Sequence, residues 1–269
     1  MSTSVRDWVE TQQINGVTTF SFEEAVNSLP NLSSGNIMTS LSRLTKDHLI
    51  SPVQKRFYVI TPPTNRGDGI VPPYYYIDNL MRKIGRDYYV GLLSAASLHG
   101  AAHQAVMTCN IVLPYPKISF SSRRNNQITW HYRPNIPKDF LEDRRTETGY
   151  IKVSNPELTA LDLVQYSQHS GGLSHVATVL AELAEKLDFS RNDGRVLAHT
   201  TGATIQRLGY ILEEVLNLRD KADMLCEFWH LHYKRAQYVP LSSQSTAELF
   251  SRNEHWKIDV NTALEVDDL

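Results

Sequence analysis

The stretch SSGNIMTSLSRLTKDHLISPVQKRFYVI, residues 33–60, decides how the front of this chain folds. Within it Ile37, Leu41 and Leu44 recur at i, i+4 and i+7, the spacing that gathers apolar side chains on one face of an α-helix. Ser33 or Ser34 stands where an N-cap is needed, so the pattern predicts a helix running to about Asp47. The period then changes. Leu49–Val53 and Phe57–Ile60 are rich in β-branched and aromatic residues and flank the polar Gln54, Lys55 and Arg56, as two strands joined at a tip would.

Working outward, the upstream sequence predicts two more short helices. Val5, Trp8, Val9 and Gln12 share a helical face that ends at Gly16, and Ser21 can cap a helix that carries Glu23 and Glu24 in its first turn and stops before Pro30. Three helices and a hairpin in about 60 residues form the layout of a winged helix-turn-helix, whose third helix enters the DNA major groove. Downstream, Thr61–Pro73 holds four prolines and two glycines and has no apolar period, which reads as a linker. The expected division is a winged helix-turn-helix over residues 1–62, a linker over 63–73, and a larger domain over 74–269. In that domain the sequence predicts a helix at Leu92–His99, a strand at Cys109–Leu113, and a hairpin with arms Ile118–Phe120 and Ile128–Tyr132. A helix starting at Asn155-Pro156 and three further helices follow, then strand-like runs at Gln237–Leu241 and Trp256–Val260. Without regular βα alternation, the fold class is α+β.

If Ile37, Leu41 and Leu44 face the core, then Asn36, Thr39, Arg43 and Lys46 face outward, with Ser42 near the edge. Arg can hold guanine through two hydrogen bonds, Asn can do the same for adenine, and Ser or Thr can read a base edge or anchor a phosphate. The wing tip adds Lys55 and Arg56. Residues 33–60 carry four Lys/Arg against one Asp, and the candidate DNA-contacting set is therefore Asn36, Thr39, Ser42, Arg43, Lys46, Lys55 and Arg56. Protein-interaction modules and plain solvation remain the alternatives for this face. Arg123 and Arg124, at a basic hairpin tip, form a possible second patch for nucleic acid or an acidic partner.

The chain of 269 residues is 41% hydrophobic and 21% charged, which excludes disorder throughout. Its formal net charge of -2 hides a division: 16 Lys/Arg against 11 Asp/Glu in residues 1–145, and 11 against 18 in residues 146–269. The front half can meet an anion that the back half would repel. No run of apolar residues is long enough to cross a membrane, the opening MSTSVRDWVE lacks the features of a secretory signal, and Cys109 and Cys226 stand far apart. These features point to the cytoplasm and away from a membrane partner.

Chemistry-bearing motifs are sparse in the larger domain. His99 and His103 have metal-ligand spacing but no partner Glu or third ligand, and His230 and His232 would point to different sides of a helix. There is no GxSxG, no GxxxxGK[ST], no Gly-Ser followed by paired aspartates and no Glu-x-Lys. The expectation is a chain that is not an enzyme and needs no cofactor or metal.

Three further segments carry a resemblance: YYVGLLSAASLHGAAHQ (Tyr88–Gln104), NPELTALDLV (Asn155–Val164) and RLGYILE (Arg207–Glu213). In this order after a winged helix they resemble the AbiEi antitoxins of bacterial type IV toxin-antitoxin systems, which are associated with phage defence. The resemblance implies a repressor that binds its own operator as double-stranded DNA while its C-terminal part opposes a separately encoded nucleotidyltransferase-like toxin. Leu92, Leu93, Leu98, Leu161, Leu208 and Leu212 in these segments read as core positions. Two other functions stay open on the residues alone: a winged-helix regulator with a ligand-sensing or dimerisation domain, and a nucleic-acid-processing enzyme guided by its winged helix.

Overall fold

A computed structural model describes residues 4–101, 108–119, 127–232, 237–243, 245 and 251–266. The chain divides into two compact units: residues 1–88, 111–136 and 143–152, and residues 89–110, 137–142 and 153–269.

The first unit begins with α1 (Val5–Ile14), β1 (Thr19–Ser21), α2 (Phe22–Ser28) and α3 (Ser34–Lys46), followed by β2 (Ile50–Gln54) and β3 (Phe57–Ile60). Each helix starts where a serine can accept an otherwise orphaned amide hydrogen. Ser4 takes the Asp7 amide at 3.1 Å, Ser21 the Glu24 amide at 3.2 Å, and Ser33 the Asn36 amide at 3.2 Å. In α2 the Glu24 carboxylate reaches back to the Ser21 amide and hydroxyl. Burial alone would raise the Glu24 carboxyl, but the Ser21 bonds and nearby Lys83 hold it below its usual value.

The three strands lie in the order β1-β3-β2, all antiparallel, with Thr19 opposite Val59 and Ile50 opposite Ile60. Strand β1 completes the sheet and has no counterpart in the sequence reading. Ile37, Leu41 and Leu44 of α3 pack in one core with Trp8, Phe20 and Tyr58. Trp8 meets the Phe20 ring edge-on at 5.0 Å, and Phe20 stacks on Tyr58 at 5.4 Å. The elements run helix, strand, helix, helix, hairpin, the order expected from the sequence apart from β1. The proline-containing segment 61–73 falls within this unit and is held by it: Thr61 donates to the Leu49 carbonyl at 3.0 Å, and Arg66 donates to Gln13 at 3.0 Å. The segment leads into α4 (Ile77–Ile84), which Gly85 ends in a left-handed conformation, φ +65.

The rest of the chain contributes β4 (Tyr89–Val90), α5 (Leu92–Leu98), β5 (Cys109–Pro114), β6 (Ile128–Arg133), β7 (Leu141–Thr146) and β8 (Gly149–Ser154). These strands follow the order β6-β5-β4-β8-β7. The strand expected at Ile128–Tyr132 is present, yet its partner is β5; residues 118–119 are not a strand, and Phe120 lies outside the described residues. After these come α6 (Pro156–Gln165), α7 (Gly172–Leu183), α8 (Gly202–Tyr210, continued by a π-helical turn over Ile211–Val215) and α9 (Arg219–His232). A small sheet closes the chain with β9 (Val239–Pro240), β10 (Ser251–Asn253) and β11 (Ile258–Val260), in the order β10-β11-β9. The fold is mixed α+β.

In the second unit α6 is buried along Pro156–Val164, so its polar side chains need partners inside the protein. Asp162 accepts from the Tyr89 hydroxyl at 2.6 Å, and Thr159 shares a hydrogen bond with Ser154 at 2.7 Å. On α8 the buried Gln206 amide donates to the carbonyls of Gln237, Trp256 and Lys257. Next to it Gly209 makes room for the fully buried Trp256, since a Cβ there would collide with the indole.

Replacing Leu41, fully buried in the α3 core, by Ala removes packed atoms that the site cannot refill and is expected to cost about 2–5 kcal/mol. Ser42→Ala, one position on and exposed, should stay within about 0.5 kcal/mol. Hydrogen exchange of the α3 amides in the full chain reads both: protection falls in the first variant and holds in the second.

Candidate nucleic-acid interface

The buried stripe of α3 sets what its opposite face presents. Asn36, Thr39, Ser42, Arg43 and Lys46 are all exposed, as the helical spacing predicts. The Thr39 hydroxyl donates to the Gly35 carbonyl at 3.0 Å, which leaves its oxygen to accept from outside. No acidic residue occurs within α3, and Asp47 at its C-cap is held by Arg6 of α1 at 2.8 Å. Among the described residues the side chains of Arg43 and Lys46 enter no ion pair, so the outward face offers hydroxyls, an amide and two unspent cations.

Two neighbours on this face were not among the residues singled out from the sequence. Gly35 has only the Ser33 hydroxyl oxygen near the place a Cβ would occupy, at 4.0 Å, and leaves the helix backbone open to close approach. Met38 is 40% exposed and adds an apolar group beside Ser42, suited to a thymine methyl. Position 35, four residues before Thr39, is the signal that would have found the glycine.

The wing tip separates two adjacent cations. Lys55 is exposed and makes no ion pair among the described residues. Arg56 turns the chain with φ +59, its carbonyl accepts the Phe22 amide at 2.9 Å, and its guanidinium lies 3.4 Å from Glu23 and 5.0 Å over the Phe22 ring. Arg56 is thus engaged with the first turn of α2, while Lys55 makes no ion pair among the described residues. Arg123 and Arg124 lie outside the described residues, as does His103.

Among the described residues, His99 and Cys226 are engaged by neighbouring groups. His99 is buried, with Nε2 2.7 Å from the Ser154 carbonyl. Cys226 lies 3.1 Å from both His230 and His255, and His255 is 2.8 Å from Glu213. Burial, then the charges of Glu213, Asp223 and Glu227, push the Cys226 thiol up, which disfavours the nucleophilic thiolate. Among the described residues no group of three or more His, Cys, Asp or Glu is arranged to hold a metal ion, and no helix is long and apolar enough to cross a membrane.

The contrast at the wing predicts different costs for neighbouring substitutions. Arg56→Ala loses a surface ion pair and a cation–π contact and should destabilise the chain by about 1 kcal/mol. Lys55→Ala should stay within about 0.5 kcal/mol. Chemical denaturation of the two full-length variants measures the difference, and equal costs would show that the Arg56 contacts contribute nothing.

Residues 89–214 match the family described as the AbiEi antitoxin C-terminal domain. No curated protein matches the sequence. The crystal structure of the RV2827C protein from Mycobacterium tuberculosis is similar over 93% of this chain and 89% of that one, with a TM-score of 0.68 and 15% identity, a likeness of fold. The matched span contains NPELTALDLV, RLGYILE and all but the first residue of the segment that begins at Tyr88, and over it this chain is similar to the AbiEi antitoxin C-terminal domain.

Proposed function

We propose that this chain is the antitoxin of a type IV toxin-antitoxin pair, that it reads its own operator DNA with residues 1–62, and that the remainder opposes a nucleotidyltransferase-like toxin from a neighbouring gene. It acts in the cytoplasm, by binding and not by catalysis. The observation that carries the DNA-reading half is the α3 face, which is exposed, free of carboxylates and basic toward its C-terminal end, with Asp47 drawn aside by Arg6. The matched domain supports the antitoxin half.

The geometry suits a division of tasks on the duplex. Arg43 is rigidly based on a helix and can present its fork to a guanine edge, and Asn36, more than a turn earlier, can pair with an adenine edge. Lys46 and Lys55 place charges at the end of the helix and on the wing, where the phosphate backbones run. Acidic excess in residues 146–269 disfavours a second duplex clamp there, so DNA affinity resides in the N-terminal part. Nothing in this reading requires a stable complex with the toxin.

The test uses the full-length protein, co-expressed with the adjacent open reading frame and scored for growth and for repression of a reporter. Wild type should restore growth and repress. Arg43→Ala should cost about 1–3 kcal/mol of operator binding and relax specificity at one position, whereas Lys46→Ala and Lys55→Ala should each weaken all sequences alike and lower the salt slope by about 1. The triple variant should lose repression yet still protect. Undiminished operator binding in a folded triple variant ends the DNA-reading half, and failure of the wild type to protect ends the antitoxin half.

A further inference from the structure

Two adjacent residues of α8 attach the C-terminal sheet in different ways. Gln206 is 3% exposed and spends its amide nitrogen on three carbonyls, those of Gln237, Trp256 and Lys257. Arg207, the first residue of RLGYILE, donates only its Nε, to the Pro240 carbonyl at 3.0 Å. Its two terminal nitrogens have no partner among the described residues. That unspent fork lines a cavity of about 350 Å³, bounded by the end of α6, the start of α7, α8 and the turns next to β9 and β11.

The lining has a one-sided chemistry. Among the described residues it contains no aspartate or glutamate; around Arg207 stand Gln165, Gln168, Ser174, Ser242 and Thr262. Gln165 accepts from the Thr200 hydroxyl at 2.8 Å through its carbonyl oxygen, which leaves the amide nitrogen to donate. Ser174 accepts from the Glu265 amide at 3.2 Å, which leaves its hydroxyl hydrogen to donate. Burial lowers the Arg207 pKa from its usual value, yet a guanidinium remains cationic at neutral pH. A partly desolvated cation with no counter-charge among the described residues of its cavity is stabilised by an entering anion.

We propose that this cavity is a binding site for a small phosphate-bearing metabolite, up to about the size of a mononucleotide, with its phosphate on the Arg207 fork and its remaining oxygens on the Gln and Ser donors. A phosphate presents more acceptor oxygens than a carboxylate and so uses this excess of donors more fully. The volume lies at the lower end of the roughly 300–1,000 Å³ typical of small-molecule sites. The site joins the AbiEi domain, which supplies the residues up to Arg207, to the tail that follows residue 214, so its ligand would fasten the tail to α8.

Calorimetric titration of the full-length protein with inorganic phosphate, adenosine monophosphate, adenosine and citrate tests this. Adenosine monophosphate or phosphate should bind with a Kd below about 1 mM, and adenosine should not. Arg207→Gln should weaken that binding at least tenfold, and Gln168→Ala, at a side chain without a partner among the described residues, should weaken it several-fold with folding intact. The Arg43, Lys46, Lys55 triple alanine variant should bind as wild type does, which separates this site from the DNA-reading face. No binding by either phosphate probe overturns the proposal, as does binding unchanged in both Arg207→Gln and Gln168→Ala, or lost in the triple variant. Citrate binding as tightly as adenosine monophosphate overturns the assignment to phosphate.

Discussion

Burial of Ile37, Leu41 and Leu44 against Trp8, Phe20 and Tyr58 is the interaction on which the candidate interface depends. A helix turns 100° per residue, so three apolar side chains locked inward also dictate which residues are presented outward. The serine caps determine where α3 begins, and the apolar stripe determines its rotation. Together they bring Thr39, Arg43 and Lys46 to one exposed face without any of them contributing to the core. The Arg6–Asp47 pair is half exposed and adds little to stability, but it pairs the C-cap carboxylate that would weaken the field at the end of this face.

In the second unit the order is reversed: polar groups are placed inside and must be satisfied there. Asp162 on Tyr89, Thr159 on Ser154 and Gln206 on three carbonyls are specific partners at the centre of the helical core. A buried polar group without a partner costs about 1–3 kcal/mol, so each of these residues restricts how the helices can pack. This explains why the motifs that resemble the AbiEi family contain few side chains available for chemistry. Leu92, Leu161, Leu208 and Leu212 are buried, as their spacing predicts, while Leu93 and Leu98 are half-buried.

Adjacent residues have opposite fates in both units. Among the described residues Lys55 makes no ion pair while Arg56 is tied to Glu23 and Phe22; the Gln206 amide nitrogen is engaged by three carbonyls while Arg207 keeps its terminal nitrogens unpaired. A charge count along the chain treats Lys55 and Arg56 alike. The electrostatics of a site depends on the unpaired charges, and pairing is a property of three-dimensional proximity.

By itself the sequence determined the elements whose signal is local. The apolar period of α3, the serine caps, the Asn155-Pro156 start of α6 and the hairpin at residues 49–60 each depend on residues within a few positions of one another. The outward set of α3 follows from the same period. Only the tertiary structure decided the rest, because it depends on partners distant in the chain. Strand β1 is three residues that become a strand by pairing with β3, and the charged Leu141–Thr146 becomes β7 beside β8 without an apolar alternation to announce it. Ile128–Arg133 reads as a strand locally, but its pairing with β5 instead of residues 118–120 is a matter of sheet assembly. Whether an arginine is spent or available depends on a glutamate 33 residues away for Arg56 and a carbonyl 33 residues away for Arg207, and no local period encodes such distances.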